Sequence, residues 1–259
     1  MICLAFVLYN VEERFLDEFI ESVNSQTYSN FDLFVLAESN ANGLHKLKNL
    51  NKNIIDIKSE LITSPVNNRN VLIQSLRKSK YDYVVFADID DIMSPNRVES
   101  SLNALKKGYN VVYNDLIRFH NKEDIDFEPL WGSRLDRINL PNYEYNVLGL
   151  GNTAIRTSVL EGLNYRINSK VFDWSFFLNL SSIVELNVSL IDGYTYYRVH
   201  RNSLLNNLSD QEKLFQLNLE VLEDIVDGDD KKVELNRLNK LKKVNKLKYV
   251  DDGFWFEKV

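Results

Sequence analysis

Four apolar runs of strand length, at residues 2–9, 32–36, 54–57 and 83–87, alternate with stretches of helical spacing. In the first such stretch, residues 12–25, the spacing is set by Val11, Phe15, Phe19, Ile20 and Val23. A second helix carries residues 71–76 and ends before Lys80, and a third covers 95–107 with Pro95 near its first turn. This βαβα order predicts a mostly parallel, Rossmann-like central sheet with helices on both faces. The length allows one large α/β domain or two small ones. A further strand is expected at 110–119, and residues 120–146 then lose all period. That polar and aromatic stretch reads as an excursion over the sheet edge that forms part of a substrate site. Beyond it come a strand at 150–155, a helix at 172–180, and a strand or hairpin at 189–199 broken at Asp192-Gly193. Helices follow from about Ser209. No repeat, low-complexity tract or Pro/Gly linker marks a boundary.

The scarce residue types exclude several chemistries. With 9 Gly, neither G-x-G-x-x-G nor G-x-x-x-x-G-K-[ST] occurs, which argues against dinucleotide and P-loop chemistry. The single cysteine, Cys3, permits no intrachain disulfide and no Cys-rich zinc site, so a cytoplasmic setting is expected. His45, His120 and His200 lie far apart without an H-E-x-x-H motif; His45 and His120 read as surface residues. The apolar start lacks a basic n-region and reads as a strand rather than a secretory leader. No run approaches the roughly 18 apolar residues of a membrane span. The formal charge of −6 is uneven: residues 231–249 carry a local +7, which leaves −13 on the remainder. Such a body is not a nucleic-acid surface.

The densest chemistry is Val84-Val85-Phe86-Ala87-Asp88-Ile89-Asp90-Asp91. Three carboxylates in four residues stand at the carboxyl end of an apolar strand, where open α/β sheets bind ligands. Strand alternation would point Asp88 and Asp90 to one side. Their repulsion is relieved by a cation, and oxygen-only ligation suits Mg²⁺ or Mn²⁺, which take further ligands from substrate phosphates. A single Asp there would read as a turn cap. The rival use of D-x-D is a phosphohydrolase with the first Asp as nucleophile. That motif normally sits on the first strand with Thr or Val two residues after the second Asp, where this chain has Ile92.

Taken in order, Tyr9-Asn10, Ser25-Gln26-Thr27-Tyr28, Arg69-Asn70, Asp88-Ile89-Asp90-Asp91, Phe172-Asp173-Trp174 and Tyr197-Arg198-Val199-His200 resemble the inverting glycosyltransferases of family 2, which have the A-type fold. The resemblance runs from residue 1 to about 205. It implies a catalytic domain at 1–205, with a nucleotide-sugar half at 1–118 and an acceptor half at 119–205, followed by a helical extension at 206–259. By the same resemblance, Val7 and Tyr9 touch the nucleotide base, Glu38 accepts from its imide, Arg69 braces both, and Asp88 contacts the ribose side. Asp90 is implied as the direct ligand of an Mn²⁺ or Mg²⁺ cofactor that bridges the diphosphate and neutralises the leaving group. Asp173 is implied as the base that takes the acceptor's proton; as a bare residue it would read as a helix N-cap. His200 is either a further metal or phosphate ligand or a polar strand end, and Arg198 or Arg201 is a candidate for the diphosphate.

The chain departs from the family pattern at three places. Ala37-Glu38-Ser39-Asn40 replaces an Asp-Asp-Gly-Ser type of ending, Phe172 stands where a Glu precedes the base, and Val7-Leu8 replaces Pro-Thr. There is no Q-x-x-R-W, which favours single-sugar transfer over processive synthesis. The expected function is therefore metal-dependent, inverting transfer from a nucleotide-sugar, UDP-sugar first, to a saccharide or lipid-linked saccharide acceptor in bacterial surface polysaccharide synthesis. The alternatives are a D-x-D phosphohydrolase and a catalytically silent nucleotide-sugar-binding protein. In the basic segment Leu235, Leu238, Leu241, Val244 and Leu247 recur every third residue, and this row drifts around a helix instead of forming one stripe. It reads either as a helix packed on the body or as a peripheral contact with anionic lipid. The aromatic end, Phe254-Trp255-Phe256, is expected to dock on the body or on a second subunit.

Overall fold

The computed structural model describes residues 1–58, 64–122, 125, 128–132, 146–163, 167–169 and 171–199, with the backbone of 248–249 and 256–257. The first half runs β1 (Ile2–Leu8), α1 (Glu13–Asn24), β2 (Asp32–Ala37), α2 (Leu44–Lys48), β3 (Ile54–Lys58), α3 (Pro65–Arg77), β4 (Tyr83–Phe86), β5 (Ile92–Met93) and α4 (Arg97–Lys106). It continues through β6 (Val111–Phe119), β7 (Thr153–Arg156), α5 (Phe172–Ile183) and β8 (Val188–Arg198). Eight of these strands form one sheet in the order β3-β2-β1-β4-β7-β6-β8-β5.

From β3 to β4 every pairing is parallel. Here β1 is followed by β2 on one side, while β4 lies on its other side. The chain direction of sheet growth therefore reverses between β1 and β4, which opens a crevice at their carboxyl ends. The other half is mixed: β7 is antiparallel to β4 and β6, β6 and β8 are parallel, and β5 is antiparallel to β8.

Side-chain alternation along β1 builds two cores. Cys3 and Ala5 face Leu72, Ile73 and Leu76 of α3 and Phe172, Phe176 and Leu180 of α5. Leu4, Phe6 and Leu8 face Leu16, Phe19 and Val23 of α1 and Val98, Leu102 and Leu105 of α4. The helix starts have local causes. Ser64 caps α3, its Oγ accepting the Asn67 N–H at 3.3 Å, and Pro65 occupies the first helical position.

Several expected elements differ in detail. The strand expected at 150–155 begins as a 3₁₀ turn over Leu150–Asn152 before β7. The segment expected at 189–199 forms the single strand β8 rather than a hairpin. Its register against β6 jumps from Tyr113 opposite Leu190 to Asp115 opposite Tyr194, a bulge in which Gly193 adopts φ 127°. Neither α2 nor β5 is long enough to show a period. Most of 206–259 and of the basic segment 231–249 lies outside the described residues. Within that stretch β9 (Lys248–Tyr249) pairs antiparallel with β10 (Phe256–Glu257), strand where helix was expected, in keeping with the β preference of Tyr and Phe. Among the described residues no helix is long and apolar enough to cross a membrane.

Candidate active site

Three sequence-distant segments meet at the crevice between the ends of β1 and β4. The first is Tyr9, just past β1. The second is the acidic run after β4, which is a turn and not a continuing strand: the Asp91 N–H donates to the Asp88 carbonyl at 3.2 Å. Ile89 is buried at its apex and anchors it. The turn, rather than strand alternation, orients the carboxylates. Asp90 accepts a hydrogen bond from the Tyr9 side chain, while Asp88 faces Arg69, Oδ1 to Nη2 3.6 Å. The third segment is the first turn of α5. Asp173 Oδ1 lies 2.8 Å from Arg69 Nη1, and its Oδ2 accepts the Leu150 N–H at 3.1 Å. Asp173 is therefore no N-cap; Val171 holds that position, and the carboxylate is directed at neighbouring elements.

Electrostatics follow from this crowding. Asp88 is pushed up to about 6, the balance of burial, which raises it, Arg69, which pulls it down, and Asp90 and Asp173, which raise it again. Asp91 is raised well above the carboxylate range by burial and by the charges of Asp90 and Asp88, against the Arg198 N–H that it accepts. Tyr9 is raised by burial and by the charges of Asp90, Asp88 and Asp91. Arg69 loses stability as a cation through burial, but Asp173 and Asp88 outweigh that loss and hold it above its ordinary value.

The floor of the site is a buried polar network. Arg97 donates through Nη2 to the Phe86 carbonyl at 2.6 Å and through Nε to Asn114 Oδ1 at 2.8 Å. Asn152 donates to the Asn114 carbonyl at 2.8 Å and accepts the Gly149 N–H at 2.8 Å, which fixes the turn that offers the Leu150 N–H to Asp173. Gly151 backs directly onto the acidic turn; a Cβ there would lie 2.5 Å from Asp88 Oδ2. None of Arg97, Asn114, Gly151 or Asn152 is conspicuous in sequence. The Gly149-x-Gly151 pair just after the aperiodic stretch was the available signal.

The remaining candidates are placed as follows. Glu38 lies just past β2 and accepts from Asn68 Nδ2, one residue before Arg69 on α3. Val7 is half-buried on β1 and packs against the α3 and α5 core. His200 and Arg201 lie outside the described residues. Arg198 is fully buried and committed to Glu18 and to the Asp90 carbonyl, so it does not reach toward a diphosphate. Near the excursion, Asp115 accepts the Leu116, Trp131 and Gly132 N–H groups and fastens residues 131–132 to β6.

Among the described residues no three His, Cys, Asp or Glu side chains converge into a ready-made cage for a cation. Mg²⁺ and Mn²⁺ seldom need one: a single carboxylate, waters and phosphate oxygens complete their shells. Asp90, only half-buried at the mouth of the turn, fits that lesser requirement. The acidic run follows the fourth strand, not the first where the phosphohydrolase pattern places it.

Comparison with known proteins agrees with this architecture. The family model described as Glycosyl transferase family 2 matches residues 3–172. An "Uncharacterized glycosyltransferase" of Haemophilus influenzae is 26% identical over 201 residues, 73% of this chain and 74% of the relative. S. aureus TarS 1-349 in complex with UDP-GlcNAc superposes with a TM-score of 0.61 at 14% identity, covering 92% of this chain and 71% of that one. The mannosyltransferase PcManGT from Pyrobaculum calidifontis, in complex with GDP-Man and Mn²⁺, superposes with a TM-score of 0.64 at 11% identity, covering 93% and 69%. This chain spans 42% of the longer TarS structure. At these identities the structural likeness establishes the fold, that of the A-type glycosyltransferases.

Proposed function

This chain belongs to glycosyl transferase family 2, and from that premise we propose that it is a metal-dependent, inverting enzyme that moves one sugar from a nucleotide donor to a hydroxyl acceptor. One observation carries the reading: a single guanidinium, Arg69, joins Asp88 of the turn after β4 to Asp173 of α5. The two carboxylates thereby flank one space. The donor half is 1–118 and the acceptor half 119–205, with 206–259 as an extension.

Tyr9, Glu38, Arg69 and Asp88 bind and orient the nucleotide, with Val7 lining the approach. Uracil, and so UDP, is favoured because Glu38 offers a carboxylate acceptor to a ring imide. Asn68 holds Glu38 in place. Asp90, with His200, would hold Mn²⁺ or Mg²⁺, which would supply charge neutralisation for the departing diphosphate; PcManGT was solved with GDP-Man and Mn²⁺. Asp173 takes the acceptor's proton as its oxygen attacks the anomeric carbon from the face opposite the nucleotide. Asp173 stands in the first turn of α5, where the helix N-terminus favours an anionic group. The acceptor is a saccharide or lipid-linked saccharide, with basic residues 231–249 as a peripheral contact to anionic lipid.

The test is Asp173→Asn. It is expected to lower the rate of UDP release from UDP-sugar about 10²–10⁴-fold while UDP binding with Mn²⁺ persists. A variant as fast as the parent removes Asp173 from the chemistry.

A further inference from the structure

The acidic turn carries three mutually repelling carboxylates, and its own backbone holds it with one hydrogen bond, Asp91 to Asp88. What stiffens it comes from behind. Arg198, the last residue of β8, has a side chain with 0% exposure. Its N–H donates to Asp91 Oδ1 at 2.8 Å, and its Nε donates to the Asp90 carbonyl at 2.7 Å. Nη1 reaches the His120 carbonyl at 3.5 Å, and Nη2 pairs with Glu18 of α1. The guanidinium plane lies between two rings, 4.1 Å from the centroid of Phe15 and 4.3 Å from that of Phe119.

Burying a guanidinium is costly unless it is neutralised and its donors are used. Here Glu18 supplies the charge and the two rings replace part of the lost hydration. The result is a rigid peg joining α1, the ends of β6 and β8, and the acidic turn. It grips Asp90 by its carbonyl and not by its carboxylate, which accepts from the Tyr9 side chain at the crevice, and it grips Asp91 by its carboxylate. Lysine cannot reproduce this, because an ammonium has no planar fork to lie between rings while donating sideways. Arg198 also stands two residues before His200, the other candidate ligand.

We propose that Arg198 is a positioning residue for the divalent cation, fixing the Asp90 peptide so that its carboxylate is held where it would take the cation. The proposal rests on the metal-dependent reading above. Supports of this kind behind metal ligands govern affinity for the ion, not affinity for the rest of the substrate.

The experiment follows free Mn²⁺ by electron paramagnetic resonance in the presence of saturating UDP, with UDP binding in the absence of metal measured by calorimetry. The parent, Arg198→Lys and Glu18→Gln are compared, each shown folded by its thermal midpoint. For Arg198→Lys the Mn²⁺ dissociation constant is expected to rise ~10-fold or more, with metal-free UDP affinity held within ~2-fold. Glu18→Gln leaves the guanidinium present but unneutralised beside Asp90 and Asp91, and should shift Mn²⁺ in the same direction by a smaller factor. Unchanged Mn²⁺ affinity in Arg198→Lys, or equal loss of UDP binding with and without metal, overturns the proposal. If Arg198→Lys does not fold, unchanged Mn²⁺ affinity in Glu18→Gln overturns it instead. A parent that shows no UDP-dependent Mn²⁺ binding defeats the metal-dependent reading itself, which separates the two failures.

Discussion

Arg69 Nη1 holds Asp173 Oδ1 at 2.8 Å, joining residues 104 positions apart in the chain. Its Nη2 reaches Asp88, so one planar cation sets the spacing of two carboxylates with different duties. Arg69→Ala leaves both carboxylates without that brace and is expected to reduce transfer about 10²–10³-fold. Arg69→Lys should recover only part of this, since an ammonium serves one carboxylate at a time. Steady-state rates on UDP-sugar with each variant check the order parent, Lys, Ala.

Stability should depend on pH through the acidic turn. Burial, joined by Asp90 and Asp173, raises Asp88 to about 6, while the unfolded chain titrates near the ordinary Asp value of about 4. Below about 4 both states are protonated and the contribution of Asp88 is fully present. Between about 4 and 6 the folded state keeps a proton that the unfolded state has lost, so that contribution disappears as pH rises through about 6. Asp91 acts in the same direction. Metal-free Asp88→Asn should therefore be more stable than the parent at pH 7, by on the order of 1–2 kcal/mol once solvent screening is allowed for. The advantage should shrink as pH falls through about 6 and vanish only below about 4. Thermal melts of both proteins across this range measure it.

Gly151 tests how closely the 3₁₀ turn backs the acidic turn. Gly151→Ala puts a methyl 2.5 Å from Asp88 Oδ2 and forces that carboxylate to move. A displacement of this size should lower kcat/KM on the order of 10²-fold. Gly162→Ala, whose methyl meets only Ile183 at 3.4 Å, is the control and should change little.

Base selectivity should run through Glu38 and its partner. Asn68 is buried and donates to Glu38 Oε1, so Asn68→Ala frees the carboxylate to swing. Loss of this hydrogen bond to a charged group should narrow the preference for UDP over GDP about 10-fold. Competition binding with the two nucleotides reads that ratio.

Much of the fold was legible because its strongest signals are local. The runs at β1, β2, β3 and β4 are apolar and of strand length, and the Phe15, Phe19, Val23 spacing of α1 needs no partner to be seen. The strand-end positions of Tyr9 and Asp88 followed from that pattern, and the structure brings them together with Arg69, Asp90 and Asp173. What stayed hidden depends on contacts far apart in sequence. The turn at 88–91 is set by the burial of Ile89, which alternation does not reveal. Arg198 looked like a cation reaching outward from a strand end; Glu18, 180 residues earlier, and the rings of Phe15 and Phe119 draw it inside. The bulge at Gly193 reflects its packing on Ser94, which pattern reading at Asp192-Gly193 took for a possible hairpin turn.

The central claim is that the acidic turn binds a nucleoside diphosphate through a divalent cation held by Asp90. Calorimetric titration of UDP, GDP, dTDP and CMP, with and without Mn²⁺, into the parent and Asp90→Asn tests it most directly. The account predicts that one diphosphate, UDP first, binds the parent at least ~10-fold more tightly with Mn²⁺, and that Asp90→Asn abolishes this gain while metal-free affinity persists. Binding that is indifferent to Mn²⁺ for every nucleotide, or a gain that survives in Asp90→Asn, would contradict it.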